Sequence, residues 1–173
     1  FCAVLRAVLR LQDARFLYGC TGQNLDILAR GVIWDMDIDY QCGTGHGVGY
    51  LSGVHEAPNG FRWKRVPERY DSGVLEEGMV TTDEPGVYLE GRYGIRTENE
   101  LVCRKGAKNE YGQFMHFEVI TVAPIDLDAV DKAYLQPEDV RRLNAYHAWV
   151  YTTLAPFMSP EEDAWLRRYT RAI

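Results

Sequence analysis

The sequence predicts an α+β domain, helical at both ends with strands in between. Three observations carry that class. Apolar residues recur at helical spacing over residues 1–34 and again over 137–169. Residues 79–123 break instead into strand-length runs punctuated by glycine. The length of 173 residues, with 46% hydrophobic and 25% charged content, is enough for one domain with a buried core.

Taken in order, Val4, Leu5, Val8, Leu9 and Leu11 mark an amphipathic helix over residues 1–15, with Arg6, Arg10 and Asp13 between them. Gly19-Cys20-Thr21-Gly22 ends it. A second helix is expected from Asn24, a suitable N-cap, to Trp34, with Leu25, Leu28 and Ile33 turned inward. Asp35, Asp37 and Asp39 then alternate in a turn. That spacing opens like a calcium loop, but Tyr40 stands where the loop needs glycine and His46 where it needs glutamate, so a solvated turn is the reading. A polar loop from Glu56 to Gly78 carries Pro58, Asn59-Gly60 and Pro67, and is locally basic through Arg62, Lys64, Arg65 and Arg69. Strands are expected over Met79–Glu84, Gly86–Leu89, Gly94–Cys103 and Phe114–Ala123. Pro137 then opens a helix striped by Val140, Leu143, Tyr146, His147, Val150 and Leu154, and Pro156 stops it. Ser159 and Glu162 have the spacing of a capping box for a last helix.

Composition excludes several functions. A net charge of -6 argues against nucleic-acid or anionic-membrane partners, which need a basic footprint. No apolar run approaches the roughly 20 residues of a membrane span. Cys2, Cys20, Cys42 and Cys103 form no C-x-x-C pair, so neither a zinc ribbon nor a disulfide framework is expected, and a reducing cytoplasm suits the chain. The opening Phe1-Cys2-Ala3-Val4-Leu5 is broken by Arg6 and is no signal peptide. Because it already reads as mid-helix, a fragment or processed chain is expected.

Chemistry concentrates in Gly43-Thr44-Gly45-His46-Gly47-Val48-Gly49, followed by His55-Glu56. Glycine neighbours allow close approach to the His46 imidazole and leave it to point into a cavity. A dinucleotide loop fails because Val48 occupies the last position of G-x-G-x-x-G. The plain alternative is a glycine turn holding a chance histidine. Downstream, Thr82-Asp83-Glu84-Pro85-Gly86 and Gly94-Ile95-Arg96-Thr97-Glu98-Asn99 bring the Glu84 and Glu98 carboxylates on strand-like segments. Antiparallel pairing would bring Glu84 near Glu98, with Arg96 placed to hold a carboxylate bidentately. Two facing glutamates repel unless a proton or cation lies between them. Here the plain alternative is that Arg96, Glu98 and Glu100 form the wet face of an edge strand. His116 and His147 read as core or surface fillers.

These motifs in order, GTGHGVG, VHE (Val54–Glu56), TDEPG-x-Y (Thr82–Tyr88) and GIRTEN, resemble the catalytic domain of Xaa-Pro aminopeptidases (aminopeptidase P). Those enzymes are pita-bread metallopeptidases related to prolidase, creatinase and methionine aminopeptidase. Phe114–Asp126 and the closing helix with Trp165-Leu166 resemble the tail of the same family. The resemblance implies the C-terminal half of a pita-bread fold. Residues 1–126 would be a catalytic domain lacking its N-terminal part, and residues 127–173 a helical extension packed on it. It also implies a metal-dependent aminopeptidase that cuts between an N-terminal residue and a following proline, through a hydroxide bridging two divalent metals.

Carried over by position, the resemblance makes His46, Glu84 and Glu98 metal ligands. His55 matches the histidine that steadies the tetrahedral intermediate, and Arg96 the arginine beside the last ligand. Glu84 is also the implied general base. Carboxylate oxygens with one imidazole favour manganese or a similar hard cation. The implied substrate is a peptide with proline second. The exposed part of the aromatic surface formed by Tyr146, Trp149, Tyr151, Trp165 and Tyr169 is a candidate homodimer contact.

Two departures stand out. Cys42 replaces a histidine of the family pattern and cannot relay a proton as imidazole does. The family's two aspartate ligands have no counterpart before His46: Asp13 and Asp26 fall in helices, and Asp35, Asp37 and Asp39 in the acidic turn. The 173 residues alone are therefore expected to be weakly active or inactive. A metal-free pita-bread binding module, or a prolidase- or creatinase-type hydrolase, are the rival readings.

Overall fold

In the computed structural model, which describes residues 1–51 and 53–173, the first apolar stripe forms helix α1 (Cys2–Gln12). It stops short of residue 15, and the chain turns into strand β1 (Arg15–Leu17). Phe16 explains the correction. The exposed–buried–exposed alternation of β1 drives its ring into the core, 5.1 Å from the Phe117 ring. Helix α2 (Gly22–Trp34) follows, capped by Thr21 rather than Asn24. Asn24 sits three residues in, and its Oδ1 accepts the Thr21 N–H at 2.8 Å. Either residue type can cap, and the extended backbone of Thr21 decides which one does.

Two compact units divide the chain: Ala3–Ile120, and Phe1–Cys2 together with Thr121–Ile173. In the first unit, β4 (Val80–Asp83), β7 (Asn99–Asn109) and β8 (Gly112–Val119) join β1 in an antiparallel sheet of order β1-β8-β7-β4. One face of that sheet, through Phe16, Leu101, Cys103, Met115 and Phe117, shares a core with Ala7 and Leu11 of α1 and Leu25, Ala29 and Val32 of α2. The loop expected over residues 56–78 contains a short strand, β3 (Gly60–Phe61), which pairs with β2 (Gly45–His46). Phe61 is fully buried in the same core, which polar loop composition concealed.

A two-stranded ribbon, β5 (Gly86–Leu89) with β6 (Tyr93–Arg96), completes the first unit. The run expected as one strand from Gly94 to Cys103 is thus broken at Thr97-Glu98. Yet β4–β7 and β5–β6 keep one register, Asp83 facing Asn99 and Gly86 facing Arg96. Glu84 and Pro85 therefore stand across from Glu98 and Thr97 in the gap of a single hairpin. Pro85 has no N–H to give to a ladder, which suits an interruption.

In the second unit, α3 (Pro137–Leu154) has its proline in the first turn, and α4 (Pro160–Tyr169) begins with the reciprocal Ser159–Glu162 box. β8 ends at Val119, earlier than expected, and beyond it the Tyr146 hydroxyl reaches the carbonyls of Thr121 and Ala123 at 3.1 and 2.8 Å. Tyr146 is buried while Trp149 and Trp165 are exposed. The cysteines are free, and no helix among the described residues is long and apolar enough to cross a membrane.

His147 is a core histidine with 0% exposure, its Nε2 accepting the Ile125 N–H at 3.0 Å. Burial, with the Arg171 charge, pushes it down from 6.5 to about 4. The unfolded chain therefore binds the extra proton between those values, so this contribution is full above pH 6.5 and is lost as pH falls towards 4. Relative to His147→Gln, which keeps an acceptor without the titration, the parent should lose about 3 kcal/mol more stability across that window. Urea midpoints at pH 7 and pH 4 measure it, and parallel losses in both proteins would refute it.

Candidate metal centre

The hairpin gap and β2 meet at one carboxylate. Gly45 lies so close to β4 that a Cβ there would fall 1.9 Å from the Thr82 carbonyl oxygen. That approach lets the His46 N–H donate to Thr82 Oγ1 at 3.0 Å, and the Glu84 N–H to the Thr44 carbonyl at 2.7 Å. Glu84 follows directly on β4, at only 8% exposure. Its Oε1 accepts from Thr82 Oγ1 at 3.0 Å and faces His46 Nε2 at 3.1 Å, and its Oε2 pairs with Arg96 Nη1 at 2.7 Å. The arginine does not grip bidentately as expected, because its Nε is turned to the Tyr88 hydroxyl at 2.7 Å.

The other ring nitrogen of His46 is informative. Nδ1 lies 2.9 Å from the Gly47 carbonyl, which can only accept, so Nδ1 carries a proton. In the neutral ring Nε2 is then an acceptor facing a second acceptor, Glu84 Oε1. A proton or a cation is needed to reconcile them.

His55, exposed on the loop after β2, brings its ring to 4.1 Å from that of His46. Both line an open cavity of about 180 Å³ together with Glu56, Asn59, Arg62 and Arg69. Arg62 is tied to Asp71 at 2.8 Å. Glu98, across the hairpin gap, is exposed and makes no hydrogen bond or ion pair among the described residues. Lost hydration, then the like charge of Glu84, raises its carboxyl above the ordinary range, against the pull of Arg96 and His46. His46 and Glu84 are thus in contact, with Arg96 attached to Glu84, whereas Glu98 is coupled to them only through space. Among the described residues no three His, Cys, Asp or Glu side chains close into a ready cage.

Sequence reasoning missed Thr82, whose hydroxyl bridges the two candidate ligands. The signal was present, since it lies two residues before Glu84 and shares its face of the strand. It also missed Asp83, which is 0% exposed with neither carboxylate oxygen in a hydrogen bond of good geometry. Burial, reinforced by Glu84 and Glu98, holds that acid well above its ordinary value.

Profile comparison matches residues 1–105 to metallopeptidase family M24, and residues 113–173 to the C-terminal region of the same peptidases. The chain belongs to metallopeptidase family M24. Among M24 relatives, an uncharacterized peptidase of Schizosaccharomyces pombe is 38% identical over 98% of this chain and 28% of its own length. An aminopeptidase P1 of Arabidopsis thaliana is 38% identical over 100% of this chain and 27% of its own. The crystal structure of an X-prolyl aminopeptidase from Caenorhabditis elegans, described as a cytosolic enzyme with a di-nuclear active site, superposes with a TM-score of 0.86. It is 34% identical, over 99% of this chain and 28% of that one. The M24 chain therefore spans little more than a quarter of the length of these relatives. The expected α+β, pita-bread fold is the fold found.

The donors fit the metal that an M24 metallopeptidase is named for. A metal-binding histidine commonly gives its remote N–H to a carbonyl, as His46 does to Gly47. Its free Nε2 and the Glu84 carboxylate are then a nitrogen and an oxygen donor aimed at one another.

Proposed function

We propose that this chain carries part of the active site of an Xaa-Pro aminopeptidase, with His46, Glu84 and Glu98 holding divalent metal, manganese by donor type. The observation that carries this reading is the approach of His46 Nε2 to Glu84 Oε1 at 3.1 Å, a nitrogen and an oxygen donor side by side, with the other imidazole nitrogen committed to Gly47. When bound, a pair of such ions would lower the pKa of water and polarise the scissile carbonyl.

The remaining steps belong to the chain. Glu84 is the proton acceptor, held in place through Oε2 by Arg96 and through Oε1 by Thr82. His55, on the cavity wall beside His46, donates to the oxygen that gains charge during attack. Glu98 faces Glu84 across the gap and completes the ligand set of this chain. A proline after the scissile bond offers no N–H, so recognition there has to rest on the ring and the carbonyl. A peptide with proline second is the proposed substrate class, following the named activity of the plant and nematode relatives. The cytosol is the proposed compartment, as described for the nematode enzyme.

The test uses the complete gene product, metal analysis and a peptide with proline second, against one with alanine there. Two bound Mn(II) and selective hydrolysis are expected, with Glu98→Gln reducing kcat/KM about 100-fold or more. Equal turnover by parent and variant would reject the assignment.

A further inference from the structure

Thr44 ties both contacting ligands to a buried charge pair lying behind them. Its carbonyl takes the Glu84 N–H at 2.7 Å, and β2, which starts at the next residue, delivers His46. Its hydroxyl donates to Asp26 Oδ1 at 2.6 Å. Asp26 and Arg30, one turn apart on α2, are 0% and 1% exposed. Arg30 Nε and Nη2 hold Asp26 at 2.6 and 3.2 Å. Its Nη1 reaches Asp39 at 2.8 Å and the Tyr40 carbonyl at 2.9 Å, and Nη2 also reaches the Cys42 carbonyl at 3.2 Å. The Tyr40 ring lies under the guanidinium at 3.9 Å, and its hydroxyl meets that of Thr44. The whole approach to His46, from Asp39 to Thr44, is strapped to one helix.

We propose that the Asp26–Arg30 pair, acting through Thr44, is a positioning device that sets the separation of His46 from Glu84. A buried ion pair adds little net stability over apolar residues of the same volume. What it supplies here is direction: hydrogen bonds of fixed geometry to two carboxylates and two carbonyls, with one hydroxyl fixed by Asp26. Thr44 has no role in ligation, so its effect reaches the centre only through where it holds Glu84 and β2. A ligand misplaced by a fraction of an ångström weakens a metal site, and loss of an outer partner typically costs about 10–100-fold in affinity.

This inference rests on the metal reading, and the test separates the two. Thr44→Val keeps the shape and removes the hydroxyl, while Thr44→Ser restores it. In the metal-free complete gene product, amide exchange by NMR should show the Glu84 N–H of Thr44→Val opening about 10-fold faster, with β7 and β8 unchanged. Mn(II) affinity, read by electron paramagnetic resonance, should fall about 10–100-fold, and Thr44→Ser should recover both. Unchanged Glu84 exchange in Thr44→Val, or equal acceleration throughout the sheet, would overturn the proposal. If the parent binds no Mn(II), the metal reading falls, and the exchange arm still decides whether Thr44 positions Glu84.

Discussion

Replacing Glu84 by glutamine is expected to lower hydrolysis of a peptide with proline second by about 100- to 10,000-fold, the range for losing a positioned proton acceptor. Arg96 is the partner of Glu84 that needs its charge. Arg96 Nη1 at 2.7 Å pairs with one oxygen, and the Thr82 hydroxyl and His46 Nε2 address the other. An amide of the same shape presents an NH₂ to one of these neighbours and cannot take a proton. The fold should tolerate the change. The Arg96 side chain is 41% exposed, so its pair with Glu84 is screened and contributes little to stability. The measurement is kcat and KM for the complete gene product and its Glu84→Gln variant, with thermal unfolding of both. A drop in kcat at nearly constant melting temperature is the expected pair of results. Retained kcat would remove Glu84 from the chemistry.

The largest stability effect should come from α2. Arg30→Met fills much of the arginine's volume but leaves Asp26 as a buried carboxylate with, among the described residues, the Thr44 hydroxyl alone to answer it. Breaking one side of such a pair costs about 3–5 kcal/mol. For a protein of this size that lowers the melting temperature by roughly 10 °C. Converting Asp26 as well, in Asp26→Leu/Arg30→Met, should return much of the loss, because the isolated charge disappears with its partner removed. Urea titration of the parent and the two variants reads both numbers. A loss below about 1 kcal/mol in the single variant would mean that water reaches Asp26 and the pair is not sealed.

Much of the fold was legible where a local pattern and its tertiary setting agree. Helix α3 follows from Pro137 and a stripe of Leu143, Tyr146, His147 and Val150, all of them buried. The α4 start follows from Ser159 and Glu162, whose two side chains cap within three residues. Errors gathered where a short segment answers to something distant. β1 is three residues long and exists because Phe16 has Phe117 to meet. β3 is two residues inside a basic, polar stretch, held because Phe61 fits the core. Neither has enough length to display a period. Within the candidate centre, spacing alone suggested Glu84 opposite Glu98, and the shared register of the two ladders puts them across one gap. Spacing could not show that Arg96 divides itself between Glu84 and Tyr88, since that depends on how one side chain rotates among neighbours from two strands.

Residue order by itself determined the α+β class, the glycine-flanked histidine and the acid placed where its strand gives way to Pro85-Gly86. Each is a property of neighbours within a few bonds or one turn, where steric and hydrogen-bonding preferences act before any long-range contact forms. The tertiary structure alone decided that Asp26 and Arg30 face Thr44, that Gly45 lies against the β4 backbone, and that His46 Nε2 meets Glu84. Those relations join residues 14 to 38 positions apart, and they arise only when burial of the shared core brings helix, loop and hairpin together.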